Sequence, residues 1–255
     1  MWKLLLLALP LALPTATSPV AQDSDSITKR YHECSEKQDV AGLVTLGKEH
    51  PGAILYTIDA DLEGSLKLVE SSDSPDMDAV RALHERALFG AACAEEATGR
   101  PIFVEYASSF VGWTAEQQKD FRAGQKAFGA ARAAMKEGKF DDAAASGRKC
   151  TELAEPLGDW WGTAMGLSVE GGALAQGGKH EAALVPLTRA RMIYHDLGLT
   201  RAEYGTLRTL AETLVALDRK PRARATLRQA AAMAGKLGDE EGQRKFEELA
   251  KTLGE

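Results

Sequence analysis

The side chains with the most chemical potential lie at Leu153–Gly162, LAEPLGDWWG, where two tryptophans follow a Leu-Gly-Asp turn. Tryptophan is enriched at interaction hot spots, and it also plugs the gap between packed helices. Trp160 and Trp161 therefore carry two readings, packing and ligand contact. A second stretch, GGALAQGGKH at 171–180, approaches a phosphate-binding loop. That loop needs Gly, four residues, Gly-Lys and then a hydroxyl residue, so that backbone N–H groups cradle phosphate oxygens. Here Gly178 intrudes after Gly177 and His180 replaces the hydroxyl, so nucleotide binding is not expected. His32, His50, His84, His180 and His195 form no HExxH or other metal spacing. No Gly-x-Ser-x-Gly elbow occurs. Asp141-Asp142 and Glu240-Glu241 lie near predicted helix starts, where carboxylates favour the helix dipole. Cys34, Cys93 and Cys150 make no CxxC pair, and sequence leaves a Cys34–Cys93 bridge open. No catalytic residue, metal or cofactor is expected.

The chain has 255 residues, 44% of them hydrophobic and 27% charged, which is ordinary for a soluble globular protein. Its formal net charge of −6 argues against nucleic-acid binding, which rests on clustered cations. The first stretch, MWKLLLLALPLALPTATSPVAQ, has one early lysine, a short apolar run and then small residues. It reads as a secretory signal peptide over 1–21, too short to span a bilayer. The mature chain is then expected outside the cytoplasm, periplasmic or secreted, without stable membrane insertion.

The elements that must position these residues repeat. Leu157-Gly158 recurs as Leu197-Gly198 and Leu237-Gly238, each 40 residues on. The same offset links Ala143, Ala183 and Ala223, then Cys150, Ala190 and Ala230, then Ala131, Gly171 and Ala211. A fixed period of small and apolar positions marks a repeat array. Each copy reads as two helices. Leu207, Ala211 and Leu214 line the first, and Ala183, Leu187, Ala190 and Ile193 the second. The Leu-Gly pairs end helices with a left-handed glycine. Thr114 with Gln117, and Thr200 with Glu203, have the spacing of capping boxes.

These residues resemble the tetratricopeptide repeat family. Its spacing of a small residue, Ala twelve on and Ala seven further is met by Gly171, Ala183 and Ala190, and by Ala211, Ala223 and Ala230. Ala131, Ala143 and Cys150 follow it with Cys in the last place, and GKF at 138–140 and GKH at 178–180 match its turn. The period is 40 residues rather than the family's roughly 34, and the large residue of the first helix is only Ala127, Leu167 or Leu207. The resemblance covers about 115–255. It implies an all-α, right-handed superhelical solenoid of antiparallel helix pairs whose first helices line a groove for protein or peptide. It places Gln125, Phe128, Arg132, Met165, Ser168, Arg208 and Glu212 in that groove, with Trp160 and Trp161 at its rim.

Residues 22–113 show no clean copy but read as helices. Ile54, Ile58, Leu62, Leu66 and Val69 make one stripe, and Val80, Leu83, Ala87, Leu88 and Ala91 the next. This region is expected to be degenerate repeats or a cap on the array at 114–255, whose last helix, from about Glu240 to Leu253, closes the far end. The functional expectation is an exported scaffold or adaptor that binds protein or peptide. An accessory partner of an extracytoplasmic enzyme, or a hydrolase with its site in 22–113, stands as the alternative.

Overall fold

The computed structural model describes residues 19–254. Residues 1–18, most of the expected signal peptide, lie outside the described residues. Among those described, all regular structure is helical, in twelve α-helices and one short 3-10 turn.

The array comprises α6 (Ala115–Lys136), α7 (Phe140–Ala154), α8 (Trp160–Gln176), α9 (His180–Asp196), α10 (Thr200–Ala216), α11 (Lys220–Lys236) and α12 (Glu240–Thr252). Each packs on the next, and α8 also touches α6 and α10, as in a helical solenoid. The 40-residue period is two 20-residue units of helix plus turn. Gly138, Gly158, Gly178, Gly198 and Gly238 all sit at φ near +70°, and Asp218 takes the same place at φ 52°. At each, two backbone bonds close the helix end. In the turn after α9, Gly198 N–H donates to the His195 carbonyl at 3.1 Å and Leu199 N–H to that of Tyr194 at 2.9 Å. This double bond pattern needs a left-handed residue, which is why glycine recurs.

The repeated small residues are buried: Ala131, Ala143, Ala183, Ala190, Ala211, Ala223 and Ala230 are fully inaccessible. The tightest crossing joins α7 to α8, where a Cβ on Gly147 would lie 2.9 Å from the Gly166 carbonyl oxygen. The Thr114–Gln117 capping box is present in both directions. The one expected at Thr200–Glu203 is not. The cap of α10 is Leu199, whose side chain is buried in the core, and Thr200 is already helical. Glu203 turns inward to His195 Nδ1 at 3.2 Å and Arg191 Nε at 3.6 Å. The cap thus falls at the same register place as Asp159 before α8 and Asp239 before α12, one residue ahead of the threonine.

The front region holds α1 (Pro19–Glu36), α2 (Val40–Glu49), α3 (Pro51–Glu70), α4 (Met77–Thr98) and α5 (Ile102–Val111). The stripe Ile54, Ile58, Leu62 and Leu66 is buried, and Val69 is half-buried. These helices share the main core with the start of the array, including Leu157, Ala164, Leu167 and Leu197. Helix α3 lies across the beginnings of the array's first helices. At one end Gly52 meets the α9–α10 turn so closely that a Cβ would sit 2.8 Å from Gly198 O. In the middle Tyr56 stands edge-on to Trp161, ring centres 4.9 Å apart. At the far end Arg122 of α6 grips Glu63 and Glu70, with contacts of 2.8–3.1 Å. Trp113 Nε1 adds a bond to the Leu157 carbonyl at 2.8 Å.

Candidate functional site

Where α3 and α5 cross the array, a cavity of about 260 Å³ opens between them and α6, α7 and α8. Helix α6 contributes Phe121, Gly124, Gln125 and Phe128; α7 gives Cys150 and Ala154; α8 gives Trp161, Gly162 and Met165. The front region contributes Tyr106 from α5 and two carboxylates, Asp59 and Glu63, from α3. A third carboxylate, Asp159, caps α8. The walls are aromatic and apolar, and the lining residues include three carboxyl groups and no lysine, arginine or histidine.

The three acids are not equivalent. Glu63 accepts from Arg122 and from the Gln125 amide, so its charge is matched within the chain. Asp59 is half-buried and accepts one bond, from the Tyr106 hydroxyl. Burial pushes its pKa up to about 6, and the neighbouring Glu63 charge adds to the shift. Asp159 is only 5% exposed. Its Oδ1 accepts from Gly162 N–H at 2.8 Å. Burial raises its pKa to about 7 against that bond, and repulsion from Asp59 and Glu63 adds to the rise. Among the described residues no cationic side chain pairs with Asp59 or Asp159. Tyr106, fully enclosed beside both, is held well above its usual pKa by burial first and the Asp59 charge second, so it stays a donor.

Asp159 belongs to a motif that the 40-residue register only half reveals. Asp39, Asp159 and Asp239 each cap a helix by accepting from the N–H three residues on, and each time that residue is glycine. A Cβ on Gly42, Gly162 or Gly242 would collide with the other carboxylate oxygen, Oδ2, of its capping aspartate. The pattern Asp-x-x-Gly is thus a cap that packs its carboxylate against bare backbone. At Asp239 the second oxygen is occupied: Tyr204 Oη donates to Oδ2 at 2.6 Å. Tyr204 lies 80 residues after Gly124, as Asp239 does after Asp159. The array has a tyrosine at one of these equivalent places and no side chain at the other. The cavity is the space left beside Gly124.

The residues nominated from sequence divide between this site and elsewhere. Gln125, Phe128, Trp161 and Met165 converge on the cavity. Arg132 stands outside it, its guanidinium 5.9 Å from the Phe128 ring centre. Ser168 is half-buried and does not line the cavity. It contacts Thr206 Oγ1 at 3.3 Å and ties α8 to α10. Arg208 and Glu212 are exposed on α10, away from the cavity, and no ion pair joins them. Trp160 and Trp161 do begin α8, and both are half-buried against the main core. Trp161 alone lines the cavity. Asp59, Tyr106 and Asp159 carried no signal in the repeat comparison, because two lie outside the array and the third shares its register place with Leu199.

The cysteines are free, so Cys34 and Cys93 are not bridged. Cys150 is buried beside the cavity, its thiol pushed up to about 12 chiefly by burial and so protonated. The near-phosphate loop falls in the turn between α8 and α9 with no strand before it, and His180 begins α9 half-buried. No group of acids, cysteines and histidines among the described residues could hold a metal. None of the described helices is long and apolar enough to cross a membrane. No protein-family profile matches the chain, and no curated protein matches it in sequence.

Proposed function

We propose that this chain is an exported, tetratricopeptide-like right-handed solenoid that binds a protein or peptide segment, acting as a scaffold or adaptor without chemistry of its own. The observation that carries the reading is the convergence of Gln125, Phe128, Trp161 and Met165 on one cavity. These residues come from two helices, α6 and α8, at positions that the family resemblance assigns to the groove and its rim. An aromatic pocket with a few convergent polar groups is the usual form of a recognition site. The signal-peptide reading of 1–21 supplies the export. The test is capture from the extracytoplasmic fraction by the intact chain and by Phe128→Ala/Met165→Ala. One partner retained by the first and lost by the second, with unchanged helicity, supports the reading. Equal capture by both removes it.

A second reading rests on Asp59 and Asp159. Carboxyl groups raised toward neutrality in a cavity are suited to general acid–base work. It is supported only if the purified chain hydrolyses a substrate and Asp159→Asn abolishes turnover.

A further inference from the structure

We propose that the cavity between α3, α5, α6 and α8 receives an alkylammonium group, with Asp59 and Asp159 as its counter-ions and Phe121, Phe128 and Trp161 around its stem. The source to which we commit is the lysine side chain of a partner segment, so the inference rests on the peptide-binding reading above.

Three independent features lead there. The first is the register. Tyr204 occupies the turn at Asp239 and donates to its free oxygen, whereas Gly124 leaves the equivalent space beside Asp159 open. The second is Asp159 itself, nine-tenths buried, with only the Gly162 N–H as a bond partner and no donor at Oδ2 among the described residues. Asp159 therefore keeps one acceptor oxygen to spare on a largely buried carboxylate that lines the cavity, and a ligand N–H in that space would fill it. The third is the wall chemistry. Aromatic faces attract cations, and an apolar lining suits a methylene chain behind a charged head. An anion would meet two acids with no cation to spare, since Arg122 is already committed to Glu63 and Glu70. A neutral apolar group would fill the space and leave both carboxylates without a counter-ion.

The test titrates the full chain with N-acetyl-lysine methylamide, n-butylammonium and N-acetyl-norleucine methylamide, following tryptophan fluorescence and heat. At about pH 8, where carboxylates are ionised and the amine remains charged, the two amines should bind saturably and the norleucine compound should not. Asp159→Asn keeps a good helix cap, and should weaken both amines at least about tenfold, the loss of one charge-assisted pair. Gly124→Tyr should abolish binding, while Asp239→Asn leaves it unchanged. Overturning results are equal binding of norleucine, no saturable binding of either amine, or full binding by Gly124→Tyr. If butylammonium binds and the lysine amide does not, the cavity is a free-amine site and its assignment to a partner's lysine is wrong. If neither amine binds yet partner capture is still lost in Phe128→Ala/Met165→Ala, the ammonium inference fails and the peptide-binding reading stands.

Discussion

The turns at Asp159 and Asp239 are built from the same four-residue cap, yet one is a finished structural joint and the other borders a cavity. Both carboxylates accept from a glycine N–H at 2.8 Å. At Asp239 the Tyr204 hydroxyl completes the set, and that bond first, then the Gly242 N–H, lowers the acid's pKa. At Asp159 the front helices bury the carboxylate, no tyrosine stands at Gly124, and its pKa rises to about 7. The difference teaches that a repeat supplies the frame and a departure from the repeat supplies the site. The cover laid by α3 and α5 turns an ordinary cap into an acidic, aromatic chamber.

The largest effect expected is at the two cap glycines. Gly162→Ala drives a methyl into the Asp159 carboxylate at a buried site, and should cost about 3 kcal/mol through overpacking plus a displaced cap. Gly242→Ala makes the same clash at the open end, where the carboxylate swings toward water, and its melting temperature should fall less. Equal losses would mean that burial at Asp159 has no energetic weight.

A pH series sharpens the comparison. A carboxyl whose folded pKa lies above its unfolded value binds its proton more tightly in the folded chain. Its stabilising effect is complete below the unfolded pKa and is lost as pH rises through the folded one. For Asp59 (about 6) and Asp159 (about 7) that window runs from about pH 4 to about pH 8. The groups facing them are Glu63, Tyr106 and Cys150, with Arg122 held on Glu63. Denaturant unfolding should show stability falling across the window by about 2 kcal/mol, and Asp159→Asn should flatten much of it. Asp239, with its lowered pKa, acts in the other direction and only at acid pH, so Asp239→Asn should leave this window alone.

Filling the vacancy should help the fold. A Cβ on Gly124 meets only ordinary contacts, 3.7 Å from Leu153 Cβ. Gly124→Tyr should therefore stabilise the chain by about 1 kcal/mol, from a helix glycine replaced and a donor supplied to Asp159. Smallest of all, Cys150→Ala puts in place the residue that Ala190 and Ala230 already hold, and should cost under about 1.5 kcal/mol. Rapid labelling of the native Cys150 thiol would contradict its burial.

Much of the frame was legible in the sequence, because helix spacing, Leu-Gly turns and small crossing residues are local signals that the 40-residue period reinforces. The Thr114 cap was legible as a local signal too. The Thr200 cap was misread because Thr-x-x-Glu looks the same whether it caps a helix or sits one place inside it. Only the buried Leu199 side chain decides between them. The site was legible on the array side alone. The family resemblance places Gln125, Phe128 and Met165 in the groove and Trp161 at its rim, but no local pattern in 51–70 says that α3 crosses the helix starts. That crossing depends on contacts more than a hundred residues apart, such as Tyr56 on Trp161. The Ser168–Thr206 contact was likewise not legible, because its partner lies on a different repeat.

The central claim is that the missing side chain at Gly124 leaves the Asp159 carboxylate buried and short of a donor. Carboxyl-carbon NMR titration of Asp159 and Asp239, in the native chain and in Gly124→Tyr, tests it most directly. The account predicts that Asp159 titrates near neutrality while Asp239 titrates below the ordinary aspartate range. In Gly124→Tyr the Asp159 value should fall toward that of Asp239. An Asp159 that titrates with Asp239 in the native chain, or one that Gly124→Tyr leaves unmoved, contradicts it.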